Sequence, residues 1–153
     1  MKVVIGLDLG TSALKAVAVD AAGVLVTQAG AAYPTSAPQA GWAEQEPGDW
    51  RAAALSALKT LHDALPADVQ PLGLALSAQL PTLALLDERG TALRPAIVWY
   101  DGRASAEAER FLQRIGAAEW YGRTGIVLDA HYLAPMHAWV ARHQPKLLER
   151  DPQ

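Results

Sequence analysis

A chain of 153 residues, about half of them apolar, is long enough for one domain with a real core and too apolar to be disordered. A net charge of −3 with both signs scattered gives no basic footprint for nucleic acid or an anionic membrane, and the absence of cysteine excludes a disulfide scaffold and a thiolate metal site. One lysine and a short apolar run broken by Asp8 do not make a secretory leader, and no stretch has the length of a membrane span, so a soluble, cytoplasmic protein is expected.

Val3 to Leu7 is a short run rich in branched residues, the composition of a buried strand. Gly10-Thr11-Ser12 is a turn signal. Leu14 to Val19 fits a second strand, although its alanines also permit helix. The tight-turn composition Asp20-Ala21-Ala22-Gly23 and the apolar run Val24 to Ala29 favour an antiparallel meander. A connection rich in proline and glycine runs from Pro34 to Pro47. Pro47 suits a first helical position, and Trp50, Ala54, Leu58, Leu61 and Leu65 recur at helical spacing until Pro66. Leu72 to Ser77 has the composition of another buried strand, followed by Leu83 to Leu86, a hairpin turn at Asp87-Glu88-Arg89-Gly90, and a short strand from Ala96 to Trp99. Asp101-Gly102-Arg103 lies at the exit of that strand. Ala104 to Ile115 is amphipathic, with Ala108, Phe111, Leu112 and Ile115 on one face and Gly116 as its cap. Ala134 to Leu148 is mostly helical, with Pro135 near its start and Pro145 interrupting it. A meander followed by alternating strands and helices predicts an α/β domain with a mixed sheet.

Asp8 is the anomaly in this pattern, an acid at the end of a buried-type strand. A phosphate site needs backbone N–H groups in a turn, a glycine that lets the backbone approach, and hydroxyls as further donors. Gly10, Thr11 and Ser12 provide these. Asp8 could hold a divalent cation through its water shell, and Lys15 could reach a phosphate as a point charge. Neither the P-loop nor the dinucleotide fingerprint fits, because this turn leads into a second strand rather than a helix. By composition alone, an ordinary hairpin with a surface aspartate fits as well.

"GLDLGTSALKAV" (Gly6 to Val17) resembles the first phosphate motif of the actin, hexokinase and heat-shock-chaperone ATPase superfamily, and more narrowly that of the FGGY carbohydrate kinases. "GWAEQEPGDW" (Gly41 to Trp50), "LSAQLPTLALLDERGTALRPAIVWYDGRA" (Leu76 to Ala104) and "GRTGIVLDAHYLAPMHAWVARHQPKLL" (Gly122 to Leu148) resemble further segments of that family, in family order. The resemblance is closest to xylulokinase-like members. It implies a ribonuclease H-like (actin-like ATPase) domain, with residues 1–153 as the N-terminal part of the first of two such domains and the second, ATP-binding domain outside the chain. It implies ATP and Mg2+ as cofactors and a small sugar as substrate, with no nucleic-acid or membrane partner.

By resemblance, Asp8 organises the magnesium, Gly10, Thr11, Ser12 and Lys15 bind phosphates, and Gln79, Leu80, Pro81, Trp99, Asp101 and Arg103 build the sugar side. The residues themselves leave other roles open: Trp99 as a core aromatic, Asp101 as a helix cap, Arg103 as the partner of a nearby acid. One departure bears on substrate. Where xylulokinases carry Ser-Gly-Gln-Met-His-Gly, this chain has Ser77-Ala78-Gln79-Leu80-Pro81-Thr82. Loss of the imidazole removes a hydrogen-bonding group from the pocket, so another pentulose, a gluconate-like acid or a polyol is also expected to be considered.

The family's catalytic base lies downstream of this segment, so the chain is expected to be an inactive N-terminal piece of a longer kinase. Apolar surface meant for the remainder then favours self-association. A non-catalytic sugar- or nucleotide-binding module and an actin- or chaperone-like ATPase are the alternatives, and Trp99-Tyr100-Asp101-Gly102-Arg103 argues against the latter. His62, His131, His137 and His143 lack metal-ligand spacing. Trp42, Trp50, Trp120 and Trp139 read as packing residues, and Glu107, Glu109 and Arg110 as a solvated helix face.

Overall fold

The computed structural model describes residues 1–150. In chain order the elements are β1 (Lys2–Leu9), β2 (Ala13–Asp20), β3 (Leu25–Ala32), β4 (Glu44–Gln45), α1 (Pro47–Ala64), β5 (Gln70–Ala78), β6 (Ala96–Ile97), α2 (Ser105–Ile115), α3 (Ala117–Thr124), α4 (Leu133–His143) and a 3₁₀ helix, Pro145–Arg150. They group into two compact units, Met1–Pro34 with Gly48–Gln79, and Thr35–Pro47 with the chain from Leu80 onward.

The first unit is a four-stranded sheet in the order β3-β2-β1-β5, covered on one face by α1. β1 pairs antiparallel with β2 and parallel with β5, so the sheet is mixed as expected. Strand alternation sends Val3 and Leu7 of β1 to the same face as Leu14, Ala16 and Ala18 of β2, and all five are buried. α1 meets them with Ala53, Ala57 and Leu61, which recur every four residues along one ridge. Alanines at the centre of that ridge let the helix lie close to the sheet. Of the series expected at helical spacing, Leu61 lies in this buried ridge, while Trp50, Ala54, Leu58 and Leu65 flank it as partly buried neighbours.

β5 departs most from expectation. It reads as a buried strand, yet every one of its residues from Gln70 to Ala78 is exposed. Its leucines 72, 74 and 76 are each more than half exposed. Leu74 and Leu76 stand beside Ile5 and Leu7, on the helix-covered side of the sheet. One edge of β5 is bonded to β1; the other has no strand beside it among the described residues. The strand's apolar composition is therefore suited to a neighbour that these residues do not supply.

The second unit is built around Leu85, Ile97, Ala104, Met136, Trp139 and Val140. β4 and β6 pair antiparallel over two residues each. Leu83 to Leu86 forms isolated bridges, Leu83 to Ile97 and Leu86 to Ala92, rather than a strand. The Asp87–Gly90 turn forms as expected, with Asp87 Oδ1 accepting from the N–H groups of Arg89 and Thr91. Gly116, at φ +90°, ends α2 and starts α3, a helix the sequence did not signal. Within α2, Glu107 is 4% exposed rather than solvated. Its Oε1 accepts from Arg110 Nη1 at 2.6 Å and lies 3.5 Å from Arg142 Nε, which is how a buried carboxylate is tolerated. Glu109 and Arg110 are exposed as expected.

Candidate functional site

The alternation that buries Leu7 places Asp8 on the opposite face of the sheet, away from α1. There the strand register sets Asp8 directly across from Lys15 of β2 and from Ser77 of β5. Lys15 in turn stands across from Gly30 of β3. One row of the open face therefore reads Ser77, Asp8, Lys15, Gly30, with side chains separated only by the spacing between strands. Asp8 and Lys15 are exposed, and they form no ion pair with each other among the described residues.

Beyond this row the β1–β2 hairpin closes. The Gly10 N–H donates to the Ala13 carbonyl at 3.1 Å, leaving Thr11 and Ser12 as the loop. Gly10 is small for a reason: an added Cβ would stand 3.2 Å from the Ala13 oxygen and 3.7 Å from an Asp8 carboxylate oxygen. The structure thus brings together Asp8, Gly10, Thr11, Ser12 and Lys15, and it adds Ser77 to them. Tyr33 was also missed. It lies one residue past β3, packs in the core with Ala53 and Ala57, donates its N–H to the Ser12 carbonyl at 3.2 Å, and donates its hydroxyl to the Gly10 carbonyl. Burial and, secondarily, the negative charge of Asp8 raise the Tyr33 phenol above its ordinary pKa, so it remains a donor. The register across β1 and β5 would have to be known to foresee Ser77, and no local pattern marks Tyr33.

Of the residues expected on the sugar side, Gln79 extends β5: its N–H donates to the Leu9 carbonyl at 2.8 Å. Leu80 is 80% exposed and is joined to Pro81 by a cis peptide. Trp99 is 41% exposed and meets Tyr100 edge to face, with ring centroids 5.2 Å apart. Trp99 is therefore not a core aromatic.

Asp101 and Arg103 are a correction. Both were expected to face a sugar; the side chains of both are fully buried. Asp101 Oδ1 accepts from the Arg103 N–H at 2.9 Å and from its Nε at 2.8 Å. Its Oδ2 accepts from Arg103 Nη2 at 2.7 Å and from the Ala43 N–H. Four bonds fill the lone-pair positions of a carboxylate, so no acceptor remains for a hydroxyl. Nor does Asp101 cap α2, whose N-terminus has no side-chain cap. Arg103 Nη1 continues to Glu44 at 2.6 Å, and Glu44 also accepts from Arg94, which bonds Gln144 at 2.8 Å. Burial lowers the Arg94 pKa, and Glu44 opposes that shift. The Arg103 guanidinium lies 3.8 Å from the Trp42 ring centroid and 5.0 Å from that of Trp139, so these tryptophans pack as expected and also shelter a cation. The network ties residues 43–44 to 94–103 behind the exposed Trp99.

No group of three His, Cys, Asp or Glu among the described residues could hold a metal by itself. Asp8 as a lone carboxylate suits magnesium, which keeps most of its waters and takes phosphate oxygens for other ligands. No described helix is long and apolar enough to cross a membrane.

A mixed sheet that opens with an antiparallel meander, with a polar turn between its first two strands, is the arrangement of the actin-like ATPase fold. The chain superposes on xylulose kinase from Rhodospirillum rubrum with a TM-score of 0.92 at 32% identity, over 97% of this chain and 30% of that one. It is 34% identical to the xylulose kinase of Bacillus subtilis (strain 168) over 98% of its own length and 30% of that protein's, and 35% identical to that of Escherichia coli (strain K12) over 95% and 30%. Residues 3–151 match the N-terminal domain of the FGGY family of carbohydrate kinases. The chain belongs to that family, and it spans about 30% of the length of the curated relatives named here.

Proposed function

We propose that this chain is the N-terminal part of the first domain of an ATP-dependent sugar kinase that phosphorylates a hydroxyl of a pentulose or related sugar. The observation that carries the reading is the pairing of Asp8 with Lys15 beside the Gly10–Ser12 loop, on the face of the sheet that α1 leaves open. That row offers an anion for a metal, a cation for a phosphate and a loop of donors within one short stretch. Asp8 would hold magnesium through the ion's water shell, and the ion would supply charge neutralisation on the nucleotide phosphates. Gly10, Thr11 and Ser12 contact phosphate oxygens, and Lys15 adds a point charge. Phosphoryl transfer draws mainly on such positioning and charge stabilisation.

On the sugar side we assign Trp99, whose aromatic face suits C–H surfaces, together with Gln79, Leu80 and Pro81. Asp101 and Arg103 act behind Trp99, holding its segment in place. The general base belongs to sequence beyond this chain. The relatives named above are xylulose kinases. Leu80-Pro81 in place of Met-His keeps gluconate-like acids and polyols in the substrate class. The bare face of β5 is the surface for the rest of the protein and, in the isolated chain, for self-association.

The test is a panel of pentuloses, gluconate and polyols with Mg-ATP, using the longer protein. We expect turnover with at least one, and negligible turnover by the 153-residue chain. Robust turnover by the 153-residue chain would contradict the assignment of the base. Tight binding of a sugar by this chain, with no turnover in the longer protein, would favour a binding module.

A further inference from the structure

The hairpin loop is held from behind by one residue. Tyr33 contributes two donors to it, the backbone N–H to the Ser12 carbonyl and the phenol to the Gly10 carbonyl. The two carbonyls belong to the peptides on either side of the Thr11–Ser12 loop. A trans peptide is planar, with its N–H pointing opposite to its C=O. Pulling the Gly10 carbonyl toward Tyr33 therefore turns the Thr11 N–H away from it, and the same bond at Ser12 turns the Ala13 N–H away. The Tyr33 ring is 7% exposed and belongs to the core cluster of Val3, Leu14 and α1 residues Ala53, Ala57 and Leu61. The clamp is thus anchored in the packed core of the unit rather than in the loop.

We propose that Tyr33 is a positioning residue for nucleotide phosphate: it fixes the Gly10 and Ser12 carbonyls inward so that the Thr11 and Ala13 N–H groups are presented outward. The inference rests on the phosphate role assigned to the Gly10–Ser12 loop and adds the residue that preorganises it. A loop whose donors are already aimed loses less freedom when the anion arrives, which is how a group that never touches the ligand strengthens its binding. Tyr33→Phe isolates the effect, because the ring and its packing stay while one donor is lost.

Two readouts on the 153-residue chain decide the matter. Amide hydrogen exchange, resolved by residue, is expected to quicken about tenfold at Gly10 and Tyr33, whose N–H groups are bonded within the clamped loop, in Tyr33→Phe, the equivalent of one hydrogen bond, with Ile5 and Val17 unchanged. Titration with magnesium pyrophosphate, followed by the shifts of the Thr11, Ser12 and Ala13 amides, is expected to need roughly five- to tenfold more ligand in the variant. Unchanged exchange at the loop, or uniform acceleration across the sheet, overturns the clamp whatever the loop binds. A parent chain whose loop amides do not respond to pyrophosphate overturns the phosphate role itself, while the exchange data still judge the clamp. Should the variant not fold, the parent suffices: a phenolic proton held on the Gly10 carbonyl exchanges slowly with water, and a fast-exchanging one overturns the proposal.

Discussion

Two aspartates, one in each compact unit, carry the same formal charge, yet the structure uses them in opposite ways. Asp8 is exposed on the open face of a sheet, opposite an exposed lysine. Asp101 is fully buried, with both oxygens filled by Arg103 and the Ala43 N–H. Water and ligands reach the first and not the second. An exposed acid can serve chemistry because its hydrogen bonds remain to be made. A buried one has already made them, and what it supplies is the geometry of its neighbours.

The contrast predicts opposite outcomes for one substitution. Asp101→Asn leaves Arg103 with a diminished partner in a buried site and is expected to lower the stability of the chain by about 3–5 kcal/mol in urea unfolding. Asp8→Asn is expected to change stability by no more than about 0.5 kcal/mol, as an exposed position does. In the longer enzyme it should depress kcat by about a hundredfold or more while the sugar KM stays within a few-fold. Equal stability losses in the two variants would remove the distinction, and so would intact turnover without the Asp8 carboxylate.

Smaller effects refine the same picture. Leu61→Ala empties the buried contact between α1 and the sheet and should cost about 2–5 kcal/mol, read from the same unfolding curves. Leu74→Lys places a charge on the exposed, uncharged β5. Sedimentation velocity should show self-association falling toward monomer with little change in the melting temperature. If association persists unchanged, it uses another surface.

The smallest effect is one of pH. The folded state holds the Tyr33 phenol above its usual value, through burial first and Asp8 second. A raised pKa means the unfolded chain gives up this proton more readily. The contribution is therefore whole below about pH 10 and is lost as pH climbs through the folded value. Melts at pH 9 and pH 11 should show a steeper decline for the parent than for Tyr33→Phe, and Asp8→Asn should lower the onset of tyrosinate absorbance.

Much of the first unit was legible because its signals are local. The branched apolar run Val3–Leu7, the turn residues at Gly10–Ser12 and the proline at position 47 each report on their own neighbours, and β1, β2, β3 and α1 fall where they point. The second unit was less legible because its order comes from pairs distant in the chain. Glu44 meets Arg94 and Arg103 across 50 and 59 residues, and β4 is too short to leave a periodic trace, whereas β6 falls within the strand expected at Ala96 to Trp99. Glu107 has the look of a surface acid in an amphipathic helix. It is buried because Arg110, Arg142 and the packing of α4 make burial affordable.

By itself, then, the sequence determined β1, β2, β3 and β5, the first helix and the composition of the Gly10–Ser12 turn, since each depends on an apolar run, helical spacing or turn chemistry within a few residues. Tertiary structure alone decided which polar groups face water. It set Asp8 beside Lys15 and Ser77 through strand register, and it brought Tyr33 behind the loop. It also enclosed Asp101 and Arg103, and it left the leucines of β5 bare. The physical reason is the same in each case: whether a carboxylate, a phenol or a leucine is exposed depends on what another part of the chain lays against it.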